Sequence, residues 1–240
     1  MTSRDFNSQA ASKNFAFTVI CLFTLVLLAT LELDSQQLQK GVSVELAPTT
    51  SAKPIPDADQ PNAWIVAVSA EGRLWFGADA VTRDSLADRM TSTPRNREQT
   101  LYIKADARAP YAAVLQVLKA AQAVELESLI LLTGQRADAQ PNGLTPPMGL
   151  QVWIESGALA GPKPVEVDIT SKERSPMVNV NNREVPSADL PSTLKQLSRG
   201  QMESVVRLNA DSDVPFGQIA RAVDAARAAG AKVVLAIPTV

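Results

Sequence analysis

Few side chains in this chain could do chemistry, and the clearest of them come as a matched pair. Asp106 stands four residues before Pro110-Tyr111, and Asp211 stands four residues before Pro215-Phe216. Such a carboxylate can offer a negative group to a partner. It can equally cap the turn or helix N-terminus that follows it, where unpaired N–H groups and the helix dipole favour an anion. Tyr111 and Phe216 can likewise serve as contact residues or as the first apolar residue of a buried helix face. Beyond this pair, the chain has no histidine, and its one cysteine, Cys21, sits in an apolar run. Proton shuttling on imidazole, a thiolate nucleophile, an intrachain disulfide and a Cys/His metal site are therefore excluded. There is no Gly-rich phosphate loop, so an enzyme is not expected, nor is a cofactor or a metal. With 23 basic and 25 acidic residues, net charge −2, no basic field is available for nucleic acid.

The elements that must hold the pair repeat as well. Residues 104–133 align with 209–238 at a constant offset of 105, six of thirty positions being identical. Upstream, Gly41–Leu46 (GVSVEL) resembles Gly149–Ile154 (GLQVWI) at an offset of 108. In the first copy Trp64–Ser69 and Arg73–Phe76 alternate as a hairpin about Glu71-Gly72. Thr82 can cap a short helix carrying Leu86 and Met90, and Thr100–Lys104 is a strand. Pro110 suits the first position of a helix whose apolar face is Tyr111, Val114, Leu115, Leu118 and Ala121, and Leu129–Leu132 closes the copy. The second copy runs Val165–Thr170, Met177–Val180, a helix with Leu190, Leu194 and Leu197, and Val205–Leu208. A helix with Phe216, Ile219, Ala220 and Val223 follows, and the last strand is Val233–Ile237. Alternation puts Trp75 on the face opposite Leu74 and Phe76. Each strand–helix–strand unit should form a right-handed parallel crossover. The fold class is α/β (α+β), two small ββαβαβ domains in tandem at 63–140 and 141–240.

Ahead of the repeats, Phe15–Leu31 is an uncharged run of 17 residues, extended by Leu33 past Glu32. That length reaches the lower limit for a membrane span. A cleaved signal peptide is the rival reading, but its small-x-small site is poor here and Glu32 and Asp34 stand where cleavage would fall, so residues 15–33 read as a retained anchor. Arg4 and Lys13 precede it while Glu32 and Asp34 follow it, which puts residues 1–14 in the cytoplasm and the rest outside. Residues 34–62 read as a linker with a short strand at 41–46; their four prolines at 47–62 argue for a stiff, extended path.

The string LYIKADARAPYAAVLQVLKAAQAVELESLILLT resembles the periplasmic domain of the ExbD/TolR family, in which a strand ending in Ala-Asp is followed by Pro-Tyr, an amphipathic helix and an apolar strand. AEGRLWFGADAVTRDSLADRM is similar to the family's hairpin and first helix, and GVSVELAP to the segment after its anchor. The resemblance implies a single-pass subunit of the bacterial inner membrane that works in biopolymer transport. It implies an ExbB/TolQ-like ring as partner, a homodimer, and an envelope protein or peptidoglycan outside. It also sets Thr18 where the family carries its proton-exchanging Asp. Threonine does not titrate, so proton carriage by this subunit is not expected, and a static anchored adaptor is the alternative.

Overall fold

The computed structural model describes residues 42–60, 62–93, 100–135, 147–155, 163–172, 175–199 and 204–238, all within the unit Lys40–Val240. The tail 1–14, the anchor 15–33 and Thr18 lie outside the described residues. Among those described, no helix is long and apolar enough to cross a membrane.

Strands β3 (Trp64–Val68), β4 (Leu74–Phe76) and β5 (Asp79–Val81) form an antiparallel meander. Helix α1 (Arg83–Ser92) follows, and Thr82 caps it as expected. The Thr82 hydroxyl accepts the Ser85 N–H, and the Ser85 side chain answers to the Thr82 N–H. Leu86 and Met90, one turn apart, are fully buried beneath it. Strand β6 (Leu101–Ala105), helix α2 (Tyr111–Ala123) and β7 (Ser128–Gln135) complete a parallel crossover. The second copy repeats every element: β9 (Val165–Lys172), β10 (Ser175–Val180), β11 (Arg183–Val185), α3 (Leu190–Leu197), β12 (Val205–Ala210), α4 (Phe216–Ala228) and β13 (Lys232–Leu235). Each copy thus has one more short strand than ββαβαβ. Asp79–Val81 and Arg183–Val185 are only three residues long and carry no alternating apolar signal. Leu190 and Leu194 are buried, but Leu197, expected on the same face, is 37% exposed because the helix ends on it.

The copies join through β8 (Met148–Ile154) into one sheet ordered β11-β10-β9-β12-β13-β8-β7-β6-β3-β4-β5. β8 runs antiparallel to β7 and parallel to β13, so β7 and β13 oppose each other. Read inward from either edge, the strand order is the same. The gapless offset fails only at the end. Tyr102 pairs Ile130 while Arg207 pairs Val234, so the offset is 105 on β6 and β12 but 104 on β7 and β13. The first copy holds one extra residue just before β7.

The proline-rich segment is extended but does not behave as a linker. β1 (Pro48–Thr49) pairs parallel with the end of β7, and β2 (Lys53–Pro54) pairs with β8. A 3-10 turn at Pro56–Asp59 then buries Ala58 against Ile65, Tyr102 and Leu132. Prolines are tolerated here because these pairings are two residues long. The turn covers the second face of β3 and β6, which explains why both strands are buried at all five positions rather than at alternate ones. Residues 42–46, expected as a strand, form no ladder; only Leu46 makes an isolated bridge, to Asp106.

Candidate functional site

The matched loops meet each other. Pro110 and Pro215 face one another in an antiparallel bridge. The Tyr111 N–H donates to Val214 O at 2.9 Å and the Ala112 N–H to Ser212 O at 2.8 Å. In return the Phe216 N–H donates to Ala109 O and the Gly217 N–H to Ala107 O, each at 2.8 Å. Adding 105 to the donor and subtracting 105 from the acceptor of either bond in the first set gives a bond of the second. Neither α2 nor α4 has a side-chain N-cap, since proline occupies that position in both. Pro110, expected from the sequence at the first helical position, instead occupies the N-cap, and the helix begins one residue later at Tyr111. The first N–H groups of each helix, which need an acceptor, are satisfied by carbonyls of the other copy. Gly217 permits the approach: a Cβ there would lie 3.0 Å from Ala107 O and 3.2 Å from Ala107 Cβ.

Tyr111 and Phe216 are both fully buried behind this junction. Phe216 has only carbon to bury. The Tyr111 hydroxyl finds no hydrogen-bond partner among the described residues, and burial raises its pKa well above the ordinary phenol value.

The two carboxylates fare differently. Asp106 is 3% exposed and accepts the N–H of Arg108 at 3.0 Å, the Arg108 guanidinium at 2.9 and 3.0 Å, and the N–H of Glu45 at 3.0 Å. The Arg108 hydrogen bonds, helped by the backbone donors, outweigh burial and hold Asp106 well below the usual carboxylate range. It therefore fastens residues 45–46 to the end of β6. Asp211 is exposed and, among the described residues, its side chain accepts one N–H, that of Ser171, at 3.1 Å. A third carboxylate was not singled out by sequence. Asp224, on α4, accepts the Thr50 N–H and hydroxyl at 2.9 Å each and the Ser51 N–H at 2.7 Å, and the Ser51 hydroxyl also reaches it. Burial alone would raise Asp224, but the Ser51 and Thr50 donors together hold it below its ordinary value. Residues 45–51, which belong to the first copy, are thus pinned to both copies. The signal for this in sequence was slight: a Thr-Thr-Ser run between prolines, and no periodicity that could name its partner.

Trp153 lies half-buried on the central strand, with Lys232 Nζ 4.8 Å and the Arg227 guanidinium 5.8 Å from its ring. Trp75 is half-buried opposite Leu74 and Phe76, with the Arg73 guanidinium 5.5 Å from its ring. On the polar face of the second copy, Arg207 joins Glu155 at 2.7 Å and Glu166 at 3.2 Å. Among the described residues no three His, Cys, Asp or Glu side chains gather as a metal site.

None of the curated proteins compared with the chain matches it. The family described as biopolymer transport protein ExbD/TolR matches twice, over residues 17–136 and 153–239, so that each copy of the fold is covered. The chain belongs to the ExbD/TolR family, with the family's domain present in duplicate.

Proposed function

We propose that this chain is the anchored, envelope-facing subunit of an inner-membrane complex of the proton-driven biopolymer-transport type. The observation that carries the reading is the double family match, whose first part begins inside the apolar run and whose two parts cover both copies of the fold. On this reading residues 15–33 cross the membrane once, with 1–14 in the cytoplasm, and dock in an ExbB/TolQ-like ring. The domains 63–140 and 141–240 face the periplasm and bind an envelope protein or peptidoglycan. Thr18 stands where the family's titrating residue would be, so the proton passes elsewhere in the complex. Thr18 also supports a second reading, a static anchored adaptor with no energised partner.

Purification from native membranes decides between them. Recovery of a polytopic ring subunit with the chain is the expected result, and its consistent absence leaves the adaptor. Thr18→Asp separates them independently. A carboxylate in a lipid-facing helix costs about 2.5–3.5 kcal/mol, so the variant should insert and assemble inside a ring but insert poorly alone. A reporter fused after Val240 should be active only in the periplasm; cytoplasmic activity would overturn the topology.

A further inference from the structure

A two-fold arrangement of two copies has room for one strand on its axis, and here that strand is β8. It lies between β7 and β13, which oppose each other, and it is fitted to the place. A Cβ at Gly149 would run into Ile130 Cγ2 and lie 2.9 Å from Ile55 Cγ1. Trp153 is covered there by Lys232 and Arg227. The first copy has a counterpart in Gly41–Leu46, whose apolar Val42, Val44 and Leu46 match Leu150, Val152 and Ile154. Those three side chains are only half-buried, and the segment is held aside by the Asp106 carboxylate. Two identical single-domain chains would set two equal strands against one slot. Duplication removes the tie.

We infer that this polypeptide completes within itself the two-fold unit that would otherwise take two copies. The docking surface of each domain, the Pro-aromatic loop with the helix N-terminus behind it, has the other domain of the same chain as its partner. The axial strand is always the second domain's. The homodimer implied by resemblance is thereby supplied in cis, and one anchor serves two domains. This holds whether or not a ring partner exists.

The test uses the full chain in its membrane with Cys21→Ser as background. Ala112 N and Ser212 O are 2.8 Å apart, and the junction's symmetry-related pair brings a Gly217 Cβ to 3.2 Å from Ala107 Cβ. Cysteines at Ala112→Cys and Ser212→Cys are thus within disulfide reach. Mild oxidation of the double variant should give a reductant-sensitive mobility shift at the size of one chain. In a second arm, Ala112→Cys on a tagged chain is co-expressed with Ser212→Cys on an untagged one, each a single mild substitution. No link between the two is expected. A link between the chains, or no link in either arm, would overturn the inference.

Discussion

Replacing Asp106 and Asp211 by alanine, one at a time, separates two positions that the sequence makes equivalent and the structure does not. Asp106→Ala removes the acceptor for the Glu45 N–H, the Arg108 N–H and the Arg108 guanidinium, four bonds of 2.9–3.0 Å. A hydrogen bond to a charged group is worth about 1.5–3 kcal/mol, and a buried donor left without a partner costs about 1–3 kcal/mol. These terms overlap. Arg108 has a side chain 67% exposed and would simply rehydrate, so its ion pair belongs near the surface range of about 0–1 kcal/mol. The two backbone donors carry the rest, and a loss of about 2–3 kcal/mol is expected for Asp106→Ala. At Asp211 one exposed bond is lost, for about 0.5–1 kcal/mol.

Thermal unfolding of the full chain in detergent reads the difference. At about 2–4 °C per kcal/mol for a domain of this size, Asp106→Ala should lower Tm by about 4–12 °C and Asp211→Ala by about 1–4 °C. The pH dependence supplies a second signature. The folded pKa of Asp106 is depressed, so its contribution is complete above the unfolded carboxylate pKa and declines as pH falls below it toward the folded value. The gap between wild type and Asp106→Ala should therefore be constant near neutrality and narrow in acid. Equal Tm losses at the two positions, or a gap that widens in acid, would refute the reasoning.

Three further outcomes follow from the same geometry. Tyr111→Phe removes a buried hydroxyl that has no partner among the described residues and restores the side chain the other copy already uses. It should leave Tm unchanged or raise it, whereas Phe216→Tyr should destabilise by about 1–3 kcal/mol in the same assay. Gly149→Ala drives a methyl group into Ile130 and Ile55 and should cost about 1–3 kcal/mol by denaturant titration, as overpacking does. Asp224→Ala frees Thr50 and Ser51, and limited proteolysis should then cut within 47–54 sooner than in wild type; an unchanged cleavage pattern would show that the sheet pairings of β1 and β2 hold the segment alone. Because Asp224 is also held below its ordinary pKa, the protection it gives should be lost as pH falls through the acid range, not as it rises.

What was legible in the sequence is what side-chain periodicity encodes. The faces Tyr111–Ala121 and Phe216–Val223 declared helices, and both bury those faces. The apolar strings on β3, β6, β7, β12 and β13 declared strands, and the offset between copies declared a duplication. Three things stayed hidden for physical reasons. Strands of two or three residues, β1, β2, β5 and β11, are too short to show a period of two. A covering turn such as Pro56–Asp59 is made of one proline, two acidic residues and an alanine, which composition assigns to solvent, although it buries one small side chain, Ala58. Finally, the junction of the copies is built from backbone N–H and C=O groups, which every residue has. One trace of it was present: both helices open on proline and an aromatic residue, with no Ser, Thr, Asp or Asn at the cap. A helix start without a capping side chain needs acceptors from elsewhere.

The position of the duplicated halves also explains why the copies have diverged where they have. Residues at the junction answer to a two-fold relation, so a change in one copy is felt at the matching bond of the other. There the bonding pattern is kept through backbone groups, with Pro110 matched by Pro215, although Ala107 corresponds to Ser212 and Ala112 to Gly217. The axial slot answers to no such relation, because only one copy can fill it. Gly149 is fixed by contact with Ile130 and Ile55, and Trp153 is held under two cations, while its counterpart at the offset of 108 is Glu45. Glu45 meets neither cation; its N–H is bound by Asp106 and its carboxylate lies 3.8 Å from Arg108. The second copy of that carboxylate, Asp211, has no displaced strand to hold, and among the described residues it sits exposed with a single side-chain bond. The difference between Asp106 and Asp211 is thus a consequence of the odd strand on the axis. It should vanish in any arrangement that gave both strands a place.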